Sequence, residues 1–272
     1  LGLRLFVLFK NILYNNGKSI RNILECIPVY ILKIMDREVS SMSEKMDGNE
    51  KKGLLKSAFT KYILALLIVG LLLFISAGSI KYWNAWLYLL SLAVPMFSVG
   101  LYLYVKDPGL LKKRLKTNER EKKQKIYVFF AIIIIFAAYG LPGLDYRFGW
   151  SAVPVGLVFT AVAITLIGYF LFVLVLLQNS YASRIVEVQE KQKVIETGVY
   201  SVIRHPMYSA SILLFLSAPI VLGSYYSIVP MLIYPLILVF RIKNEEAVLM
   251  KGLDGYTKYM TKVKYRLIPF VW

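Results

Sequence analysis

Hydrophobic positions in this chain come in long runs, and the polar residues gather in the stretches between them. The first run, Phe59 to Ile80, has about the 20 residues that a bilayer-spanning helix needs. After a short turn a second run reaches Val105, with Trp83, Trp86, Tyr88, Tyr102 and Tyr104 near its ends, where aromatic rings anchor at membrane surfaces. Asp107, Pro108 and Gly109 stop it. Ile126 to Leu141 predicts a third span, ended by Pro142 and Gly143. Ser151 to Gln178 predicts a fourth and longest, able to cross and to project beyond the bilayer.

The pattern changes after Gln178. Residues 179–204 are polar and mixed in charge, with Gln189, Glu190, Lys191, Gln192 and Lys193 in a row, and read as a cytoplasmic connector. Two apolar legs follow, Ser209 to Leu222 and Tyr225 to Phe240, around Gly223 and Ser224 and with Pro219, Pro230 and Pro235 inside them. Each leg is shorter than a span. They predict a tight helical hairpin over 209–240 whose prolines leave backbone groups for neighbouring helices to satisfy. Charge then returns at Arg241, Glu245 and Glu246, and the chain ends in Arg266, Leu267, Ile268, Pro269, Phe270, Val271 and Trp272, which suits a segment returning to the membrane surface.

The expected fold class is therefore all-α, a polytopic integral membrane protein. Residues 1–58 form a cytoplasmic or interfacial extension, 59–178 four transmembrane helices, and 179–272 a cytoplasm-facing region that includes the hairpin. Within the extension, the apolar residues from Leu3 to Leu13 are interrupted by Arg4 and Lys10, as in a short interfacial helix, and no small-residue cleavage site follows. Residues 1–45 read as an addition without a catalytic role, and Met46 as the start of the part that matters.

Composition agrees with this: 58% of the 272 residues are hydrophobic, too many for a soluble domain of this size. The net charge of +17 would point to nucleic acid in a soluble protein. Here the basic residues sit between apolar runs, with Lys106, Lys112, Lys113, Arg114, Lys116, Arg120, Lys122, Lys123 and Lys125 in one loop and single basic residues at Lys81 and Arg147. That bias puts the first loop in the cytoplasm and the other two outside, and no basic stretch interleaves aromatics as a nucleic-acid platform would. One cysteine, Cys26, and one histidine, His205, provide neither a disulfide nor a metal cluster.

Candidate chemistry gathers on the inner side. His205 precedes Pro206 at a helix start, with Tyr208 at helical spacing from it, and Arg241 and Glu245 are four apart and share a helix face. Free N–H groups at such a start attract carboxylate or phosphate. Each feature has an ordinary reading: a capping histidine, a surface ion pair worth at most about 1 kcal/mol, tyrosines as interfacial anchors, and a lysine-rich loop that only sets topology.

Taken together, Thr197-Gly198-Val199-Tyr200, Arg204-His205-Pro206-Met207-Tyr208, Arg241 with Glu245 and Glu246, then Tyr256, Tyr259, Arg266 and Pro269, resemble the isoprenylcysteine carboxyl methyltransferase family and its phospholipid methyltransferase relatives. The resemblance covers roughly the last ninety residues. It implies methyl transfer from S-adenosylmethionine in a pocket between the hairpin and the C-terminal helix. By that resemblance His205, Pro206, Met207 and Tyr208 wrap the cofactor, Tyr200 with Gln192, Lys193, Val194 and Ile195 lines its nucleoside end, Gln189 closes the pocket, and Glu245 accepts hydrogen bonds from it. Arg241 and Glu245 are the implied catalytic pair, with Arg241 directed at the substrate, where a guanidinium holds a carboxylate. Ala210 departs from the family, which has glycine two residues after the motif tyrosine, and the connector from Gln189 to Tyr200 is shorter than in the eukaryotic enzymes.

The implied partners are a lipophilic or prenylated acceptor and membrane lipids, with no nucleic acid. A carboxylate acceptor is ionised at neutral pH and needs positioning and desolvation, not a general base; an amine or thiol would need His205 or Glu245 to take a proton. The acceptor stays open between an isoprenylcysteine, a phospholipid and another small lipid. Sterol reductases share an Arg-His element but follow it with Asn-Tyr, against His205-Pro206 here. A non-enzymatic membrane scaffold leaves the charge clustering without a reason.

Overall fold

The computed structural model describes residues 47–116 and 122–272, and their regular structure is entirely helical. The extension over 1–45, with Cys26, and the neighbouring Met46 lie outside the described residues, as does Arg120 of the basic loop. The helices are α1 (Gly48–Ala77), α2 (Trp83–Lys106), α3 (Pro108–Leu115), α4 (Lys122–Phe148), α5 (Val155–Gln178), a 3-10 turn Gly198–Ser201, α6 (Pro206–Val221), α7 (Ile228–Met231), α8 (Ile233–Gly252) and α9 (Tyr256–Lys262).

Four of them, α1, α2, α4 and α5, are long and apolar enough to cross a membrane, as the four runs predict. Their outward positions stay apolar: Leu64, Leu71, Phe129 and Ile167 are all more than 50% exposed. Lipid tails solvate such a surface, so these helices do not need the polar outer face of a soluble bundle. Apolar exposure therefore marks the bilayer belt.

Two limits differ from the sequence expectation. α1 begins at Gly48, well before Phe59, because the polar turns ahead of the apolar run simply continue the helix. α4 does not stop at Pro142 and Gly143 but runs through both to Phe148. An interior proline loses one backbone hydrogen bond, and here close packing of α1 against α4 compensates. Both residues are buried, and a Cβ on Gly143 would lie 1.9 Å from Ser76 Oγ and 2.7 Å from the Leu73 carbonyl oxygen. Backbone meets backbone at this crossing, as small residues allow between membrane helices.

The hairpin is present with shifted limits. α6 starts at Pro206, the turn spans Leu222 to Ser227, and the second leg is the short α7 followed by α8. No helix boundary falls at Arg241: α8 carries the apolar leg and the charged residues on one continuous rod. α6 packs along α5, with Leu213 and Leu214 against Gly168, where a Cβ would come within 3.1 Å of each, and with Thr165 Oγ1 2.7 Å from Ser217 Oγ. The hairpin tip is tied at the far end. Buried Asp145 accepts from Ser151 N–H and Oγ at 2.6 Å and from Ser224 Oγ at 2.5 Å, Tyr82 OH donates to the Leu222 carbonyl, and Asn84 Nδ2 donates to the Val221 carbonyl at 2.9 Å.

At the opposite end lies the basic helix α3, fixed when Asp107 caps its first turn by accepting from Leu110 N–H at 2.9 Å. Lys113 Nζ donates to the Ser180 carbonyl at 3.1 Å. The Lys-rich element and the start of α6 therefore share one end of the bundle.

The α1–α4 crossing makes a direct prediction. Gly143→Ala should destabilise the protein by about 1–3 kcal/mol, as overpacking does. Gly140→Ala, with nothing within 4 Å of its added carbon, should leave the thermal midpoint in detergent unchanged or slightly higher.

Candidate functional site

The site is built where the connector, the start of α6, the middle of α8 and the C-terminal tail meet. The connector is irregular but fixed. Gln189 N–H donates to Gln192 Oε1 at 2.8 Å, Gln189 Nε2 to the Tyr181 carbonyl at 2.7 Å, and Tyr181 OH to the Lys191 carbonyl at 3.0 Å, closing a turn in which Lys191 takes φ 56°. Val194 packs with Leu253, Tyr256 and Tyr259, while Ile195 is half-buried and Lys193 exposed.

The 3-10 turn then enters at Gly198, whose φ of 61° favours glycine. Any Cβ there would strike Gln178 Oε1 at 2.3 Å, the same oxygen that accepts from Val199 N–H at 2.9 Å. The end of α5 thus seats Tyr200, whose OH accepts from Asn179 Nδ2 at 2.8 Å and whose carbonyl accepts from Tyr259 OH at 2.7 Å. Burial pushes the Tyr200 phenol up to about 12, so it stays neutral.

Arg204 and His205 are pinned by their backbones. Arg204 N–H donates to the Tyr265 carbonyl and His205 N–H to the Arg266 carbonyl, both at 2.9 Å. Their side chains turn inward to Glu246, which is 3% exposed. Arg204 Nε reaches Glu246 Oε1 at 2.8 Å, His205 Nε2 lies 3.1 Å from the same oxygen, and Arg266 Nε reaches Oε2 at 2.9 Å. Arg204 Nη1 also donates to the carbonyls of Val263 and Lys264. Burial by itself would raise the Glu246 carboxyl, but His205, Arg266 and Arg204 outweigh it and bring it down to about 2. An ionised carboxylate only accepts, so His205 carries its proton on Nε2. His205 occupies the N-cap position of α6, yet its ring makes no cap hydrogen bond; the ring serves Glu246 instead.

Glu245, one residue earlier on α8, points elsewhere. It is half-buried, and its Oε2 accepts from Tyr208 OH at 2.5 Å. Arg241 Nε donates to the same Tyr208 oxygen at 3.0 Å, and Arg241 Nη2 to the Arg184 carbonyl at 3.1 Å. The His205 and Tyr208 rings are 5.8 Å apart, as their spacing on α6 requires. Pro206 is buried, and half-buried Met207 faces α3 through Arg114. Buried Tyr256 OH has no hydrogen-bond partner.

The structure thus brings Tyr200, His205, Pro206, Met207, Tyr208, Arg241 and Glu245 to one end of the bundle. Gln189 and Gln192 engage each other in the connector turn, with Lys193 outside it. Sequence reasoning left Arg204, Glu246 and Arg266 out of the candidate site, although all three belong to the motif run. The signal was the pairing of two adjacent glutamates with more arginines than one carboxylate can hold.

Residues 148–251 match the model of the Isoprenylcysteine carboxyl methyltransferase (ICMT) family. The match runs from the end of α4 through the hairpin and nearly to the end of α8, and takes in Arg204 to Tyr208, Arg241, Glu245 and Glu246. It bears out the resemblance drawn from those residues, while Arg266 and the helices α1 to α3 lie outside it. No curated protein matches the chain.

The Glu246 cluster predicts an acid-sensitive fold. A carboxyl held near 2 against an ordinary 4.5 contributes stability that is complete above about pH 5 and is lost as the pH falls toward 2. Glu246→Gln should cost about 3–5 kcal/mol at neutral pH, since it strands buried cations. Its thermal midpoint in detergent should approach that of the parent as the pH is lowered, because protonation of Glu246 makes the same change.

Proposed function

With a domain of this family over residues 148–251 as premise, we propose that the protein transfers a methyl group from S-adenosylmethionine to the acid group of a lipophilic, isoprenylcysteine-like acceptor. The site opens to the cytoplasmic side of the membrane. What supports this best is the division between neighbouring carboxylates: Glu246 is consumed by Arg204, His205 and Arg266, while Glu245 stays half-buried beside Tyr208 and Arg241.

The residues present fit the cofactor. A sulfonium is a cation, suited to a carboxylate and to aromatic faces, and Glu245, Tyr200 and Tyr208 supply both. His205, Pro206, Met207 and Tyr208 would hold it from the α6 side. Gln189, Gln192, Lys193, Val194 and Ile195 would line its nucleoside end. When bound, S-adenosylmethionine supplies an electrophilic methyl group on positively charged sulfur.

The chain's own residues do the rest. Arg241, held by Tyr208 OH and the Arg184 carbonyl, presents a guanidinium to the acceptor's acid group, and holding the two partners together lowers the entropic part of the barrier. The site draws on elements that meet at an end of the bundle, where water is partly excluded and a carboxylate loses hydration that would blunt it. A carboxylate acceptor needs no base. His205 agrees with that role, because its Nε2–H is committed to Glu246 and positions the start of α6. The basic helix α3 beside the site supports a cytoplasmic orientation of this end, by the charge bias of membrane loops.

Calorimetry with S-adenosylhomocysteine on the detergent-purified chain tests the reading. Micromolar binding is expected, weakened roughly tenfold or more by Glu245→Ala, a loss of about 1.4 kcal/mol or greater, and weakened also by His205→Ala. No binding by a well-folded parent would overturn it. With a carboxylate acceptor, kcat should be flat from about pH 6 to pH 8; a limb rising through neutrality would assign an acceptor that loses a proton.

A further inference from the structure

The basic helix α3 meets different neighbours on two sides. On one it abuts the candidate site: Lys113 Nζ donates to the Ser180 carbonyl at 3.1 Å, and Arg114 turns inward, its Nη1 3.3 Å from the Ser183 carbonyl and 3.2 Å from Met207 Sδ. On the other it faces the first turns of α1 across a cavity of about 420 Å³, the size of a small-molecule site. Lys112 at the middle of α3, Lys116 at its end and Lys61 of α1 line that cavity, with Glu50 the one carboxylate among the described lining residues. Lys61 Nζ donates to the Leu115 carbonyl at 2.6 Å, Lys112 Nζ lies 2.7 Å from Glu50, and Lys116 Nζ lies 3.3 Å from Glu187 of the connector.

Three lysines against one glutamate leave the cavity cationic. The Leu115 carbonyl is neutral, so it orients Lys61 without cancelling its charge, and the exposed Lys112–Glu50 pair is of little net worth and exchanges partners at little cost. The depth is set by α1. No charged residue follows Lys61 on α1 up to Ala77, so Lys61 stands where the hydrocarbon core begins, and its stem carries the ammonium back to headgroup level. Its bond to Leu115, the last residue of α3, holds Lys112 and Lys116 at that level too. The floor is apolar: Leu54 is buried in the cavity wall, and Gly53 leaves open space, with nothing within 4 Å of an added Cβ. Beyond Lys61 the same face of α1 continues as exposed Leu64 and Ile68. A negative head on an apolar chain matches this order of surfaces, and basic pockets between membrane helices hold anionic headgroups. A soluble anion would use the lysines and leave the apolar face idle.

We propose that the cavity between α1 and α3 binds the headgroup of an anionic phospholipid from the leaflet at the site-bearing end, with Lys61, Lys112 and Lys116 around its phosphate and an acyl chain along α1. The lining residues lie outside the family-matched segment 148–251, so this lipid site stands apart from the methyl-transfer reading. Because α3 carries Lys113 and Arg114 on its other side, a lipid held between α1 and α3 braces the element that abuts Met207.

Native mass spectrometry of the full chain in neutral detergent, titrated with phosphatidylglycerol or with phosphatidylcholine, tests the site. The parent should hold phosphatidylglycerol roughly tenfold tighter than phosphatidylcholine, and Lys61→Gln or Lys116→Gln should weaken it roughly fivefold, as the loss of one lysine beside an anionic lipid does. Gly53→Leu fills the cavity without a change of charge and should weaken the lipid by a similar factor; it should melt no lower than the parent, because leucine favours a helix over glycine. Glu50→Gln should tighten phosphatidylglycerol severalfold, a gain that misfolding does not mimic. Lys258→Gln, at an exposed position on α9, should leave binding unchanged. A parent without the lipid preference overturns the proposal. So does an equal loss in Lys258→Gln and Lys61→Gln, the mark of diffuse attraction, and so does a Gly53→Leu variant that binds as the parent does. Inorganic phosphate at the same concentration should not displace the lipid; displacement gives the lysines to a soluble anion and overturns the assignment to lipid.

Discussion

The ionised Glu246 carboxylate is the constraint on which the site-bearing end of this molecule depends. It is buried, so it requires partners, and it takes them from three places: Arg204 and His205 ahead of α6, and Arg266 in the tail. Taking a charge out of water is unfavourable unless hydrogen bonds and opposite charge replace the solvent. Satisfying that requirement fixes where the connector meets α6, how α8 is rotated, and where the chain folds back after α9. The adjacent residue inherits its direction from this lock. Since successive positions on a helix point about 100° apart, fastening Glu246 inward leaves Glu245 turned toward Tyr208 and Arg241.

The lock also explains why the site is stiff without being a closed domain. Tyr208 touches both Glu245 and Arg241, and the elements that carry them are held by other contacts, such as the Gly198 entry against Gln178 and the backbone pairing of residues 204 and 205 with 265 and 266. Supporting residues of this kind keep a binding constellation in place before any ligand arrives.

Much of this was legible in the sequence. The four spans were, because lipid accepts apolar side chains on every face and leaves long uninterrupted runs. The upper limit of α4 was not, because Pro142 breaks an isolated helix but not one pressed against Leu73 to Ala77. Helical periodicity puts His205 with Tyr208 and Arg241 with Glu245, but the two segments were readable as one group only through their resemblance to a known family. The different fates of Glu245 and Glu246 were not readable, because the choice depends on Arg266 arriving from a distant tail. Nor was the inward turn of Arg114, because a run of basic residues looks the same whether one of them faces solvent or the interior.

The tie at the hairpin tip has a consequence for depth. Asp145, near the end of α4, holds Ser224 and so fixes the turn beside the end of that spanning helix. From there α6 returns only 16 residues, about 24 Å at the rise of an α-helix. The hydrocarbon core is roughly 30 Å thick. α6 is therefore several ångströms shorter than that core, so a hairpin whose turn lies at one surface ends, at His205 and Tyr208, short of the other. A chain-anchored molecule can present its polar end there by sliding sideways within the leaflet, with no need to lift its tail into water.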